Sequence, residues 1–199
     1  MSPSSYRPLK ANRTGRRRMY YRTIVADPHW LPALGASWQS SYQDKGRPHR
    51  HYPTMSVEEL CALPVPAATQ AHLYLWCLAQ HVDWAYEVGQ AWGFNPIILW
   101  TWEKPGLGVG RFRCNTEHIW VGRKGSRHGN PFGQGGRHAQ ATEGTCFHWP
   151  RGRHSEKPEE FYFLVERLSP APRLEMFART IRDGWAVWGN EVDGITGLV

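Results

Sequence analysis

The chain has no Cys-x-x-Cys pair; its four cysteines, Cys61, Cys77, Cys114 and Cys146, are widely spaced. That spacing signals neither a zinc ribbon nor a disulfide framework, so a reducing compartment is expected. No stretch approaches the ~18 uninterrupted apolar residues of a membrane span, and the N-terminus lacks the apolar core of a signal peptide. A cytoplasmic protein is expected. Acid is also missing at the start: nothing acidic precedes Asp27, whereas Arg7, Lys10, Arg13, Arg16, Arg17, Arg18 and Arg22 all lie before it. Residues 1–21 therefore read as a basic arm, in a chain of formal net charge +7. Such an arm favours a nucleic-acid partner and a salt-dependent affinity, with a solvated basic tail as the plain alternative.

What is present excludes disorder. Apolar residues make up 41% of the chain, including 11 Trp, 8 Tyr and 7 Phe, and 199 residues suit one domain, taken as 22–199. Strands are expected at Arg22–Ala26, at "HLYLWC" from His72, and at "NPIILWTW", "EHIWVG", "RLEMFA" and "WAVWG". Ser56 and Glu59 have the spacing of a capping box, which starts a helix at Ser56. Helices are also expected over Gln80–Trp92 and from Pro158, where Phe161, Leu164, Val165 and Leu168 repeat on one face. Strands alternating with helices predict an α/β domain, a mostly parallel sheet covered on both faces.

From about 124 to 154 the chain is rich in Gly, Arg and His, has almost no aliphatic residue, and holds Glu143 as its only acid. A surface insert is expected, with Arg127, Arg137, Arg151 and Arg153 gripping a phosphate backbone without reading its sequence. Among its His and Cys residues only Cys146 and His148 are close together, and no spacing resembles a zinc finger. No metal is expected.

Asp27-Pro28-His29-Trp30 directly follows the first strand. Ligands of open α/β sheets gather beyond the carboxyl ends of strands, so the position alone makes a candidate site. A carboxylate and the Pro28 carbonyl are two acceptors suited to the two N–H bonds of an exocyclic amine on a base. Holding both would draw the nitrogen lone pair out of conjugation toward an electrophile. Trp30 would stack on the base. An ordinary strand-to-loop turn with a packed Trp is the plain alternative.

"VADPHW", "YPTMSVEEL", "LYLW", "NTEHIWVGRKG", "HSEKPEEFYFLVERLSP" and "RLEMFAR…GWAVWGNEV" occur in that order between residues 22 and 192. In these blocks the chain resembles the MT-A70 family of N(6)-adenine methyltransferases. The resemblance implies a circularly permuted, Rossmann-like S-adenosylmethionine-dependent methyltransferase fold, with the catalytic strand first and the donor strand last. It implies methyl transfer to adenine N(6) in nucleic acid, DNA more than RNA. Asp27, Pro28 and Trp30 become the catalytic residues. His29, Trp30, Tyr52, Glu117 and Lys157 fall to the substrate side with Arg127 and Arg137. Asp27, Lys157, Glu175, Arg179, Asn190 and Glu191 fall around the donor.

The chain departs from the family's Asp-Pro-Pro-Trp at His29, which loses a rigid residue and gains a titratable ring. The readings from other classes are a catalytically silent nucleic-acid-binding module on the same fold, an RNA adenosine methyltransferase, and a cytosine N(4) methyltransferase.

Overall fold

The computed structural model describes residues 19–31, 54–107, 113–125, 144–152 and 156–189, and the backbone of 192–196. Tyr52, Arg127, Arg137, Arg153, Asn190 and Glu191, the arm up to residue 18 and most of the insert lie outside the described residues.

Eight strands form one sheet: β1 (Tyr21–Ala26), β2 (Ala67–Cys77), β3 (Asn95–Glu103), β4 (Thr116–Lys124), β5 (Cys146–Phe147), β6 (Arg173–Met176), β7 (Trp185–Gly189) and β8 (Val192–Thr196). Their spatial order is β5-β3-β4-β2-β1-β6-β7-β8. The pairing is mixed. β1 pairs in parallel with both β2 and β6, β6 with β7, and β3 with β5. β4 runs antiparallel to β2 and β3, and β8 antiparallel to β7.

Three α-helices complete the described fold: α1 (Val57–Cys61), α2 (Val82–Ala91) and α3 (Glu159–Leu168). The Ser56 capping box is formed, each side chain bonding the other residue's backbone N–H. The helix it starts is only 5 residues long. α2 begins two residues after Gln80, behind a 3-10 turn over Ala79–His81.

Residues alternate across the strands, so each face builds its own core. Ile24, Leu73, Leu75 and Trp120 pack with Leu60, Ala85 and Val88 of α1 and α2. Val25, Tyr74, Trp76 and Ile119 pack on the other face with Phe161, Leu164 and Val165 of α3. The sheet is thus covered by helix on both sides. Trp120 fits only because Gly89 and Gly122 flank it; a Cβ at either would lie 2.4 Å or 2.2 Å from its ring.

Two strands differ from the sequence reading. β5 lies inside the presumed insert, and its two residues are too few to show a period against the surrounding Gly and His. β8, "VDGIT", carries Asp and Gly that weaken any strand signal. "RLEMFA" also stops early as a strand, because Phe177 turns to φ 63° just after Met176. No described helix is long and apolar enough to cross a membrane.

Candidate active site

β1 lies where the chain reverses its direction across the sheet: β2 flanks it on one side and β6 on the other. The carboxyl end of such a strand opens into a crevice between its neighbours. Asp27 is the first residue beyond that end. The carboxyl ends of β2, β3 and β6 point the same way, and so does the amino end of antiparallel β4. Topology alone therefore gathers Asp27, Lys104, Glu117 and Glu175 at one edge of the sheet, with Lys157 arriving just before α3.

Their side chains form an alternating chain of charge. Lys157 Nζ lies 3.0 Å from Asp27 Oδ2 and 3.0 Å from Glu117 Oε2. Lys104 Nζ holds the other Glu117 oxygen, Oε1. Lys157 is 10% exposed and sits over the Trp76 ring, 4.7 Å from its centroid. Burial pushes the Lys157 ammonium toward neutrality, but the Asp27 and Glu117 carboxylates outweigh it and hold its pKa above the ordinary value. Burial likewise opposes the Glu117 charge, and Lys157 and Lys104 reverse the sign, keeping its pKa below the ordinary carboxylate value. Both groups stay charged at neutral pH. Cys77, beneath them, is pushed up to about 12 by burial and by Glu117 and Asp27, so it is an inert thiol.

Trp30 is fixed by three contacts. Its indole N–H donates to the Trp76 carbonyl at 3.0 Å, and its ring stacks on His81 at 5.9 Å and leans on Trp84. Its backbone bridges to Met55. The Pro28 carbonyl accepts from Trp30 N at 3.0 Å, which closes the turn and leaves a second lone pair.

On the β6 side, Glu175 accepts from Tyr162 Oη at 2.7 Å. Burial raises the Glu175 pKa, and nearby Asp27 adds to the effect. Arg173 donates to the carbonyls of Glu166 and Ser169, and Arg179 meets His29 Nε2 at 2.8 Å. Glu175 is thus held by a phenol hydrogen bond, although Arg173 lies two residues before it and Arg179 four residues after it. Arg179 instead links the loop after β6 to the Asp-Pro-His-Trp turn.

The structure brings Asp27, Lys157 and Glu117 into contact, joins His29 to Arg179, and sets Glu175 beside them. Lys104, Trp76, His81 and Tyr162 were absent from the sequence reading. Only Lys104 carried a usable signal, since a β3–β4 hairpin that pairs Glu103 with Thr116 brings Lys104 next to Glu117.

The chain is similar to known proteins. The MT-A70 family model matches residues 21–191. The chain is 28% identical over 193 residues to the Type II methyltransferase M.MunI of Mycoplasma sp, covering 88% of this chain and 79% of that protein. It is 31% identical over 157 residues to the N(6)-adenosine-methyltransferase MT-A70-like protein of Drosophila melanogaster, and 29% identical to the human N(6)-adenosine-methyltransferase catalytic subunit METTL3. Each of these two matches covers 72% of this chain but only 24% and 26% of the respective relative.

Proposed function

The chain belongs to the MT-A70 family of methyltransferases, and from that membership and the site geometry we propose S-adenosylmethionine-dependent methylation of adenine N(6) in nucleic acid, DNA in preference to RNA. One observation carries the reading: the Asp27 carboxylate, at the carboxyl end of the central strand β1, is gripped through Oδ2 by a buried lysine. That grip leaves Oδ1 aimed by its partner rather than free to rotate. Oδ1 and the Pro28 carbonyl then accept the two N–H bonds of the adenine amine.

The donor set fits a cationic methyl donor. Glu175 is a buried carboxylate whose hydrogen-bond partner is a neutral phenol, and burial, with Asp27 adding to it, raises its pKa against the opposing pull of the Tyr162 hydroxyl, Arg182 and Lys157. A ligand bearing positive charge relieves that mismatch. S-adenosylmethionine supplies a methyl group on an already activated sulfonium. Glu175 would hold the donor with Arg179, and with Asn190 and Glu191 as the family resemblance implies. Lys157 orients Asp27 through the 3.0 Å contact to its Oδ2, and Asp27 takes the proton that the amine releases. Trp30, already locked between Trp76, His81 and Trp84, is a rigid wall for the base.

The strand order supports a circularly permuted Rossmann-like domain, with the acceptor strand β1 first in sequence and the strands assigned to the donor, β6 and β7, last. The preference for DNA rests on the match to the Type II methyltransferase M.MunI, which extends over 79% of that protein, and on the resemblance to phage and bacterial members that modify DNA. The chain spans only about a quarter of the eukaryotic adenosine methyltransferases it matches.

The test is incubation with labelled S-adenosylmethionine and, separately, duplex DNA, single-stranded DNA and RNA, followed by nucleoside mass spectrometry. N(6)-methyladenine from DNA is expected, falling at least about 100-fold in Asp27→Ala with donor binding retained. N(4)-methylcytosine would replace the substrate assignment. Nucleic-acid binding with neither donor binding nor transfer would make the chain a silent module.

A further inference from the structure

β3 and β5 pair in parallel, with Thr101 opposite Cys146 and Trp102 opposite Phe147. The next step of that register sets Glu103 beside His148. Because side chains alternate, Cys146, His148 and Glu103 share the face opposite to buried Trp102 and Phe147. A thiol, an imidazole and a carboxylate meet there, with ligand atoms all within 4.8 Å of one another.

The support around them is organised. His148 Nδ1 lies 3.3 Å from Glu103 Oε2, and Asn115 Nδ2 donates to Glu103 Oε1 at 3.3 Å, turning the free oxygen toward the imidazole. Outer hydrogen bonds of this kind orient the ligands of metal sites. The backbone beneath is tied down as well. Thr101 N donates to Thr145 O at 2.8 Å, Trp102 Nε1 donates to Trp149 O at 3.0 Å, and Trp149 stacks on Phe147 at 4.2 Å. The frame is fixed while the three head groups remain accessible to solvent.

We propose that Glu103, Cys146 and His148 bind a borderline-soft divalent cation, zinc(II) above others, independently of the methyl-transfer site. One sulfur, one nitrogen and one oxygen match zinc's usual ligands, and water completes the tetrahedron. Bonds of about 2.0–2.3 Å bring donor atoms in a tetrahedron to roughly 3.3–3.7 Å apart, so the three side chains need only small rotations to close on the ion. On ligation Cys146 gives its thiol proton to solvent, so affinity rises with pH. The ion would staple the two-residue strand β5 to β3, next to Lys104 at the edge of the Asp27 network. Spacing along the chain hid this site, because Glu103 is remote from Cys146 in sequence and only the β3–β5 register joins them.

Cobalt(II) titration of the full, untagged, chelator-stripped chain tests the proposal without reference to activity. One equivalent is expected to give a near-ultraviolet thiolate-to-cobalt band with visible tetrahedral bands, displaced by zinc(II). Cys146→Ser is expected to abolish the near-ultraviolet band, and His148→Ala or Glu103→Gln to weaken affinity at least tenfold. Cys114→Ser, at the neighbouring exposed thiol, should leave the band intact. All four positions are at the surface or partly so, and unchanged far-ultraviolet circular dichroism would verify folding. Absence of the band in the parent chain overturns the site, as does a band that survives Cys146→Ser or disappears in Cys114→Ser.

Discussion

Glu117 is the residue on which the site's charge balance turns, since it answers two lysines with its two oxygens. Glu117→Gln leaves both ammoniums short of a counter-charge, and breaking a buried pair in this way costs about 3 kcal/mol. Lys157 is then drawn onto Asp27 alone, which competes with the amine for the carboxylate. Urea unfolding should show the loss of stability, and turnover should fall about 10–100-fold at saturating donor; parent-like values in both would remove Glu117 from the network. The pH window follows from the signs. Glu117 has a folded pKa below 4.5, so its contribution is present above 4.5 and disappears as pH falls through the depressed value. Lys157 is raised above 10.5, so its contribution is full below 10.5 and disappears as pH rises through the raised value. Glu175 behaves oppositely to Glu117. Its folded pKa lies above 4.5, so its contribution is full only below 4.5 and is lost as pH rises through the raised value. Glu175→Gln should therefore melt above the parent at pH 7 and level with it at pH 4, while binding the donor more weakly. A lower melting temperature at pH 7 would show that the carboxylate is compensated in the folded state.

At the scale of elements, the loop after β6 is shaped by what β7 lacks. Phe177 turns the chain at φ 63° and lays Ala178 across the end of β7, where Ala178 N donates to Trp188 O at 3.0 Å. A Cβ on Gly189 would lie 2.1 Å from Ala178 O and 2.7 Å from Ala178 N, and backbone cannot step aside as a long side chain can. Gly189→Ala should cost about 1–3 kcal/mol and displace the loop that carries Arg179. Thermal unfolding with and without S-adenosylmethionine would report it: a lower melting temperature and a smaller donor-induced rise, with KM for donor increasing more than kcat decreases. An unchanged donor-induced rise would separate this loop from the donor. Elements with a period or a cap were legible in the sequence, as α3 and the Ser56 box show, and Asp27 was legible because a strand must end somewhere useful. What sequence could not give was register. The meeting of Lys104 with Glu117, of Glu103 with Cys146 and of Tyr162 with Glu175 depends on which residues face each other across strands and layers. β5 was lost for the same reason, since two residues have meaning only through their neighbour.

Across the whole molecule the charge is divided by task. The Asp27–Lys157–Glu117–Lys104 chain holds two acids and two bases, so the net +7 of the protein lies outside it. On the proposed reading, an uncharged base would be received where the fixed charges cancel, with phosphates left to basic segments elsewhere. Arg16, Arg17 and Arg18 form the densest such run. Each phosphate neutralised on duplex DNA steepens the dependence of log affinity on log salt by about 0.9, so changing all three to Ser should flatten it by up to about 2.7. An unchanged slope would make the arm a solvated tail. The same division predicts which kinetic constant salt acts on. Ion pairs buried as Lys157 is are screened far less than exposed ones, so moderate salt should raise KM for DNA and leave kcat at saturation unaltered. A kcat that falls with salt while the fold stays intact would place the sensitivity inside the Asp27–Lys157 pair, and the separation between phosphate grip and base chemistry would not hold.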